Sequence, residues 1–261
     1  MKIVLDKSFI QGCPRVDFHS FLRNYECYLP ESVFFELLTT TREKRISSFS
    51  KLIEISSPVK LVQNVGAFLQ YESVNNKPCF PDYVLVTNKD FEFNKGLIKP
   101  EFQISKSQLI SLREWQTDIS SEVDEFMGIT KCLPQLFPEI GNFRPGQCTR
   151  ILDQIEIDLA EEDFLFELYE NLTTEKYPRR PLINISWATI RWVQIKISAA
   201  IKFIKAYGIN SNLEANKKTI ENLFLDFHHL LPAVQCDGIA TKDIWIKETM
   251  KRIRKDAIIL P

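Results

Sequence analysis

Four carboxylates in this 261-residue chain are spaced so that a single sheet edge could gather them. Asp6 closes the apolar run Ile3-Val4-Leu5, and Glu36 lies partway along a helical stretch that begins after Pro30. Asp226 belongs to the pattern Asn222-x-x-x-Asp226-x-x-His229, and Asp243 follows the short run Gly238-Ile239-Ala240-Thr241. If the late run pairs beside the first, all four meet at the carboxyl edge of one parallel sheet, where open α/β folds build their sites. Carboxylates held together repel, and loss of water raises their pKa unless a cation sits among them. Hard oxygen donors with no Cys or His at the core positions favour Mg²⁺ or Mn²⁺ over zinc. Such a cluster activates water and stabilises the charge that develops on a phosphodiester. Each acid also has an ordinary explanation. An Asp after a strand is commonly a turn residue or a helix N-cap, and one on a helix face is commonly solvated. His229 shares the Asp226 face, and a histidine there is more often packed with one hydrogen bond than a proton shuttle.

Periodicity supplies the elements that must position these groups. Ile3 to Leu5 and Cys27 to Leu29 are continuous apolar runs suited to central parallel strands, with a helical stretch from Val16 to Asn24 between them. Pro30 suits the first turn of a helix running from Glu31 to about Thr40. This strand–helix–strand opening makes the first two strands parallel and adjacent. From Thr41 to about Asn76 the pattern is helical throughout. Ser105 to Thr130 and Thr149 to Leu172 read as two long helices, and Ile185 to Tyr207 as a third with Ile190, Ile197 and Ile204 on its buried face. The Asn222 helix buries Leu223, Phe227, Leu230 and Val234, and Pro232 is expected to end or kink it just after Leu231. A strand at Gly238–Thr241, a helix from Asp243 to Lys255 and a last strand at Ala257–Leu260 complete the chain. The expected architecture is α/β, a three-layer α/β/α fold on a central parallel sheet, carrying a large and mainly helical insertion. Residues 1–76 and 182–261 form the two parts of the sheet domain, and the proline-marked stretch 77–181 forms the insertion.

Composition narrows the function classes. A hydrophobic content of 44% suits one sizeable core or two modest ones, and a formal net charge of −1 gives no global field toward nucleic acid or anionic lipid. Six cysteines without a Cys-x-x-Cys pair and three histidines offer no zinc spacing, so free thiols in a reducing compartment are expected. The opening apolar run breaks at Asp6, too short for a signal-peptide core, and no apolar segment reaches bilayer length. These features point to a soluble, cytoplasmic protein that does not engage a membrane. The stretch from Asp153 to Glu170 is dense in acidic residues and lacks a basic one, which reads first as a solvated face.

The motifs, taken together, resemble the PIN domain, a family of metal-dependent nucleases. The resemblance rests on Val4-Leu5-Asp6 followed by Ser8, on Tyr28-Leu29-Pro30 with Glu36 beyond it, on Asn222-x-x-x-Asp226-x-x-His229, and on Asp237-Gly-Ile-Ala-Thr241-x-Asp243. It covers about the first 75 and the last 75 residues. It implies that Asp6, Glu36, Asp226 and Asp243 are catalytic and hold Mg²⁺ or Mn²⁺. Ser8, Asn222, His229, Asp237 and Thr241 would support them, with Ser8, Asn222 and Thr241 orienting carboxylates or metal-bound water. The implied activity is an endoribonuclease, of the toxin or defence type, that leaves a 5′-phosphate on RNA. Two departures stand out: Lys7-Ser8 replaces the family's frequent Thr-Asn, and a minimal PIN domain lacks the stretch from Lys77 to Pro181. A decoy, Asp82 to Asp90, imitates the strand–Thr–Asp element but comes too soon after Glu36. The rival reading is an inactive PIN-like scaffold that binds protein partners or RNA through the helical insertion. Phosphatase chemistry on the same sheet lacks a nucleophile motif.

An RNA substrate needs a local basic patch, because each phosphate must be offset against the acidic site. Arg179, Arg180, Arg191 and Lys202 are the expected RNA-binding group, with Arg191 and Lys202 on one helix face. A protein partner or inhibitor would engage the helical insertion, and self-association stays open.

Overall fold

The computed structural model describes residues 1–53, 59–87, 91–141, 145–174, 178–209 and 211–261, with only the backbone at 145–147. Five strands form one sheet: β1 (Lys2–Leu5), β2 (Glu26–Pro30), β3 (Lys60–Val62), β4 (Gly238–Ala240) and β5 (Ile258–Leu260). Their order is β3-β2-β1-β4-β5, and every pair is parallel. The late strand does lie beside the first, with Val4 opposite both Tyr28 and Ile239. Successive strands therefore step one way from β1 to β3, and the later pair steps the other way from β1. That reversal, between β1 and β4, is the switch point at which open sheets leave a crevice beyond their carboxyl ends.

The helices divide between the two faces. On one lie α1 (Lys7–Gly12), α2 (Arg15–Asn24), α3 (Glu31–Thr39) and α4 (Arg42–Ile53). On the other are α5 (Val65–Asn75), α6 (Lys106–Leu136), α7 (Pro138–Gly141), α8 (Pro145–Asp158), α9 (Glu162–Leu172), α10 (Ala188–Tyr207), α11 (Lys217–Val234) and α12 (Ile244–Ile253). Strand alternation explains the split. Val4, Tyr28, Val62 and Ile239 point into the larger core, while Ile3, Leu5, Cys27, Leu29, Leu61 and Ala240 point into the smaller one. The arrangement is a three-layer α/β/α fold on an all-parallel sheet. At Gly238 only a hydrogen fits, because a Cβ there would collide with the Ile258 carbonyl of β5.

Three expectations about elements need correction. The stretch after Thr41 is not helical throughout, because Lys60–Val62 pairs with β2 as an edge strand. Three residues are too few to show a strand period. The predicted helix from Thr149 to Leu172 is two, α8 and α9, divided near Leu159 to Glu161. Pro232 does not end α11, which continues to Val234. The ring removes one donor, and the Gln235 N–H resumes the ladder at the Leu231 carbonyl, 3.2 Å away.

The stretch 77–181 supplies mainly helices, and they share the larger core with the sheet. Phe126 of α6 packs within 5.9 Å of both Phe224 and Phe227 of α11, ring centre to ring centre. Glu72 of α5 ties this layer together. Its buried carboxylate accepts from the N–H groups of Cys79, Ala188 and Thr189 at 2.9, 2.6 and 2.9 Å, and from the Thr189 hydroxyl at 2.6 Å. It thereby satisfies the amino end of α10, whose own N-cap residue, Trp187, has no side-chain acceptor to give. No helix among the described residues is long and apolar enough to cross a membrane.

Candidate active site

A cleft of about 350 Å³ opens at the carboxyl edge of β1 and β4, lined by Asp6, Lys7, Ser8, Gln11, Glu36, Asn222, Leu225, Asp226, His229, Asp243 and Ile246. The four carboxylates expected from the sequence all line it. Each arrives by a different local device. Asp6 stands at the end of β1 as the N-cap of α1, where its carboxylate accepts from the Ser8 N–H. Asp243 is the N-cap of α12, with Oδ1 2.9 Å from the Ile246 nitrogen. The two ordinary N-cap roles are thus present, and in both cases they fix a carboxylate at the cleft. Glu36 projects from α3 after β2, and Asp226 from the polar side of α11.

Asp6 is the most constrained member. Its Oδ2 accepts from Ser8 Oγ and, at 2.8 Å, from Thr241 Oγ1, while Oδ1 lies 3.1 Å from His229 Nδ1. Thr241 Oγ1 in turn accepts from the Asp243 N–H at 3.0 Å, which links the ends of β1 and β4. His229 is fully enclosed between two acids, with Nε2 3.4 Å from Glu36 Oε1. That separation suits an ion pair more than a hydrogen bond, and both atoms otherwise lack a hydrogen-bonding partner. The other Glu36 oxygen takes Lys7 Nζ at 2.6 Å.

The charges sort themselves accordingly. Burial opposes ionisation of Asp6, but His229, Ser8 and Thr241 outweigh it and hold its pKa at about 2. Burial likewise opposes a charged imidazole, yet Asp6 and Glu36 raise His229 to about 10. Glu36 is lowered against its burial by His229 and Lys7. Asp226 goes the other way. Loss of water, with Asp243, Asp6 and Glu36 adding repulsion against the pull of His229, raises it to about 6. No hydrogen-bond donor contacts Asp226 among the described residues.

The supporting residues divide. Ser8, Thr241 and His229 hold Asp6 directly, and Asn222 lines the mouth of the cleft. Asp237 does not belong to this cleft. It precedes β4 at the amino edge of the sheet, where its carboxylate accepts from the Lys2 N–H at 2.8 Å. The decoy Asp82 also lies at that amino edge, paired with Lys2 and Lys60, and Asp90 falls outside the described residues. His228, the neighbour of His229, pairs instead with Glu122 at 3.0 Å.

The expected basic patch is not assembled. Arg191 is buried and gives its guanidinium to Gln194 Oε1 at 2.9 Å and the Ile253 carbonyl at 3.1 Å. Arg179 reaches the carbonyls of Glu170 and Thr173, and Arg180 pairs with Asp163 while stacking 3.9 Å from the Phe166 ring centre. Carbonyls at helix carboxyl ends are unsatisfied acceptors, and Arg179 and Arg191 close them at the ends of α9 and α12. Lys202 alone lies near the site. It sits 3.7 Å from the Trp245 ring centre, and although burial lowers its pKa, Asp226 and Asp243 oppose that shift. Sequence reasoning missed Gln11, Leu225 and Ile246 as lining residues. Gln11 and Leu225 lie one helical turn or less from residues already singled out, and that spacing could have found them.

The donor set tests whether a divalent cation fits. All four acids bring hard oxygens, Glu36 Oε1 is buried without a hydrogen bond, and Asp226 has no donor of its own. Among the described residues, no three His, Cys, Asp or Glu side chains already stand around one point as a metal cage. His229 and Lys7 occupy that role electrostatically. Comparison with protein-family models, with curated proteins and with solved structures gives no match.

Proposed function

We propose that this chain is a Mg²⁺- or Mn²⁺-dependent ribonuclease of PIN-like type. The observation that supports the reading is the meeting of Asp6, Glu36, Asp226 and Asp243 in one cleft at the β1/β4 switch point. Residues far apart in sequence reach it in the order the resemblance implies. When bound, the metal supplies Lewis acidity and a water of lowered pKa. The chain's own residues do the rest. Ser8 and Thr241 fix the Asp6 carboxylate, and His229 holds a proton between Asp6 and Glu36. In the metal-free cleft Asp226, raised to about 6, can take up a proton near neutral pH, and it would give that proton up on binding the cation. Lys7, on the cleft wall, can leave Glu36 for a substrate phosphate. The resemblance alone supports a toxin-type or defence role in the cytoplasm as the biological setting.

The second reading, an inactive PIN-like scaffold, draws on the Lys7–Glu36 pair at 2.6 Å, which neutralises one candidate ligand. One experiment separates the two. Asp6→Asn and Asp243→Asn should each abolish Mn²⁺-dependent cleavage of a mixed RNA pool while thermal melts show an intact fold. Parent-like cleavage by either variant rejects the assigned site. No cleavage by the parent, with no shift of its melting temperature on adding Mn²⁺, favours the scaffold.

A further inference from the structure

A second cavity, of about 290 Å³, lies beside the first along the same sheet edge, at the carboxyl ends of β2 and β3. Glu31 reaches it directly after Pro30 of β2, and Gln63 and Asn64 directly after Val62 of β3. Its aromatic side is Phe35, Phe91 and Trp115, with Phe35 5.1 Å from Phe91 and 5.3 Å from Trp115, ring centre to ring centre. Its polar side is acceptor-rich: the carboxylates of Glu31, Glu114 and Asp118, the hydroxyls of Thr87 and Ser111, and the Gln63 amide. Among the described residues, no basic side chain lines it. Gln63 gives its Nε2 to the Leu85 carbonyl at 3.1 Å, which commits its donor end to the protein. Glu31 is raised by burial, against one hydrogen bond from the Asn64 backbone.

These features select for one ligand chemistry. Three carboxylates without a cation repel phosphate, so a polyanionic backbone is disfavoured here. A planar cation with many donors meets both sides of the cavity, because a guanidinium stacks on aromatic faces and forks onto carboxylates. We propose that this cavity receives an arginine side chain from a basic segment of a protein partner. Phe35 lines this cavity and the next residue of α3, Glu36, lines the first, so a partner seated here borders the acidic cleft.

The test uses the full chain and capped amino acids in ligand-observed NMR. Acetyl-arginine-methylamide should bind in the millimolar range, its lysine counterpart about tenfold more weakly, and the uncharged isostere, acetyl-citrulline-methylamide, not measurably. Glu114 and Asp118 are exposed on α6, so Glu114→Gln with Asp118→Asn should fold normally and weaken the arginine probe at least fivefold. Glu31→Gln should weaken it further. Equal binding of citrulline and arginine overturns the proposal, as does an unchanged affinity in the double variant. Tighter binding of adenosine or cytidine would make the cavity a base pocket instead. Tighter binding of free L-arginine, whose α-carboxylate the acidic wall should repel, would make it an amino-acid site. None of these readouts depends on RNA cleavage, so this proposal and the nuclease reading can fail separately.

Discussion

Replacing Asp226 by Asn should make the metal-free protein more stable, and more so as the pH rises. Asp226 is an acid whose folded pKa is raised, from 3.8 to about 6, chiefly by burial. Its neutral form costs the fold little. As the pH climbs above 3.8 the unfolded chain ionises first, so folding must either hold the proton or bury the charge. With each pH unit worth about 1.4 kcal/mol, the penalty comes to about 1.6 kcal/mol at pH 5 and about 3 kcal/mol at pH 8, where it has levelled off. Solvent in the open cleft reduces both figures, but it does not reverse their order. Asn at 226 stands in for the permanently neutral acid and has no donor to abandon. Urea denaturation in EDTA, at pH 5 and pH 8, should show the variant ahead at both and further ahead at pH 8. Added Mn²⁺ should stabilise the parent and leave the variant nearly unchanged. An advantage that is the same at both pH values, or a variant less stable than its parent, would refute the reasoning.

Two further substitutions probe the charges that hold the core together. His229→Ala removes the one cation enclosed between Asp6 and Glu36 and should cost on the order of 3–5 kcal/mol in EDTA, read from urea midpoints. A loss under about 1 kcal/mol would mean that the two acids do not depend on it. Glu72→Ala leaves the Ala188 and Thr189 N–H groups and the Thr189 hydroxyl at the start of α10, and the Cys79 N–H after α5, without their acceptor. That change should also cost ~3–5 kcal/mol, and hydrogen exchange should speed up first at Ala188 and Thr189 if the loss is local to that helix end.

What could be read from the chain depended on the range of the cause. Asp6 and Asp243 were legible because strand, carboxylate and helix start lie within a few residues, and both turn out to be N-caps. The pairing of β1 with β4 was a supposition from the sequence, because no local pattern joins runs at opposite ends of the chain, and the sheet supplies it. β3 was hidden because three residues between two helices carry no period of their own. Asp237 misled because flanking a strand does not say which end is meant, and it marks the amino edge. The arginines misled for a different reason. Arg191 has a helical spacing that suits an exposed face, but its partner is the Ile253 carbonyl, 62 positions away, and no local pattern shows that. His229 was placed on the right face, yet its enclosure between Asp6 and Glu36 depends on three separate elements coming together.

Several other buried charges among the described residues are answered by hydrogen bonds. Lys51 gives its ammonium to the carbonyls of Ile10 and Cys13 at 2.7 Å each, and Arg45 reaches those of Leu97 and Lys99. Glu72 takes four donors, and Arg191 has two acceptors. These groups behave as folding requires, since an unanswered buried charge costs several kcal/mol. Asp226 breaks that pattern. Among the described residues it has no donor, beside three other acids, on a helix whose other buried positions are apolar except His228 and His229, each of which is paired with an acid. A fold that answers Lys51, Arg45, Glu72 and Arg191 with hydrogen bonds has no packing reason to keep an acid at 226, where Asn or Ser would fit at lower cost. Local rules are broken most often where a site needs them broken. That the exception falls at the sheet's switch point, in one cleft with Asp6, Glu36 and Asp243, is what supports the proposed chemistry over a gap between helix ends.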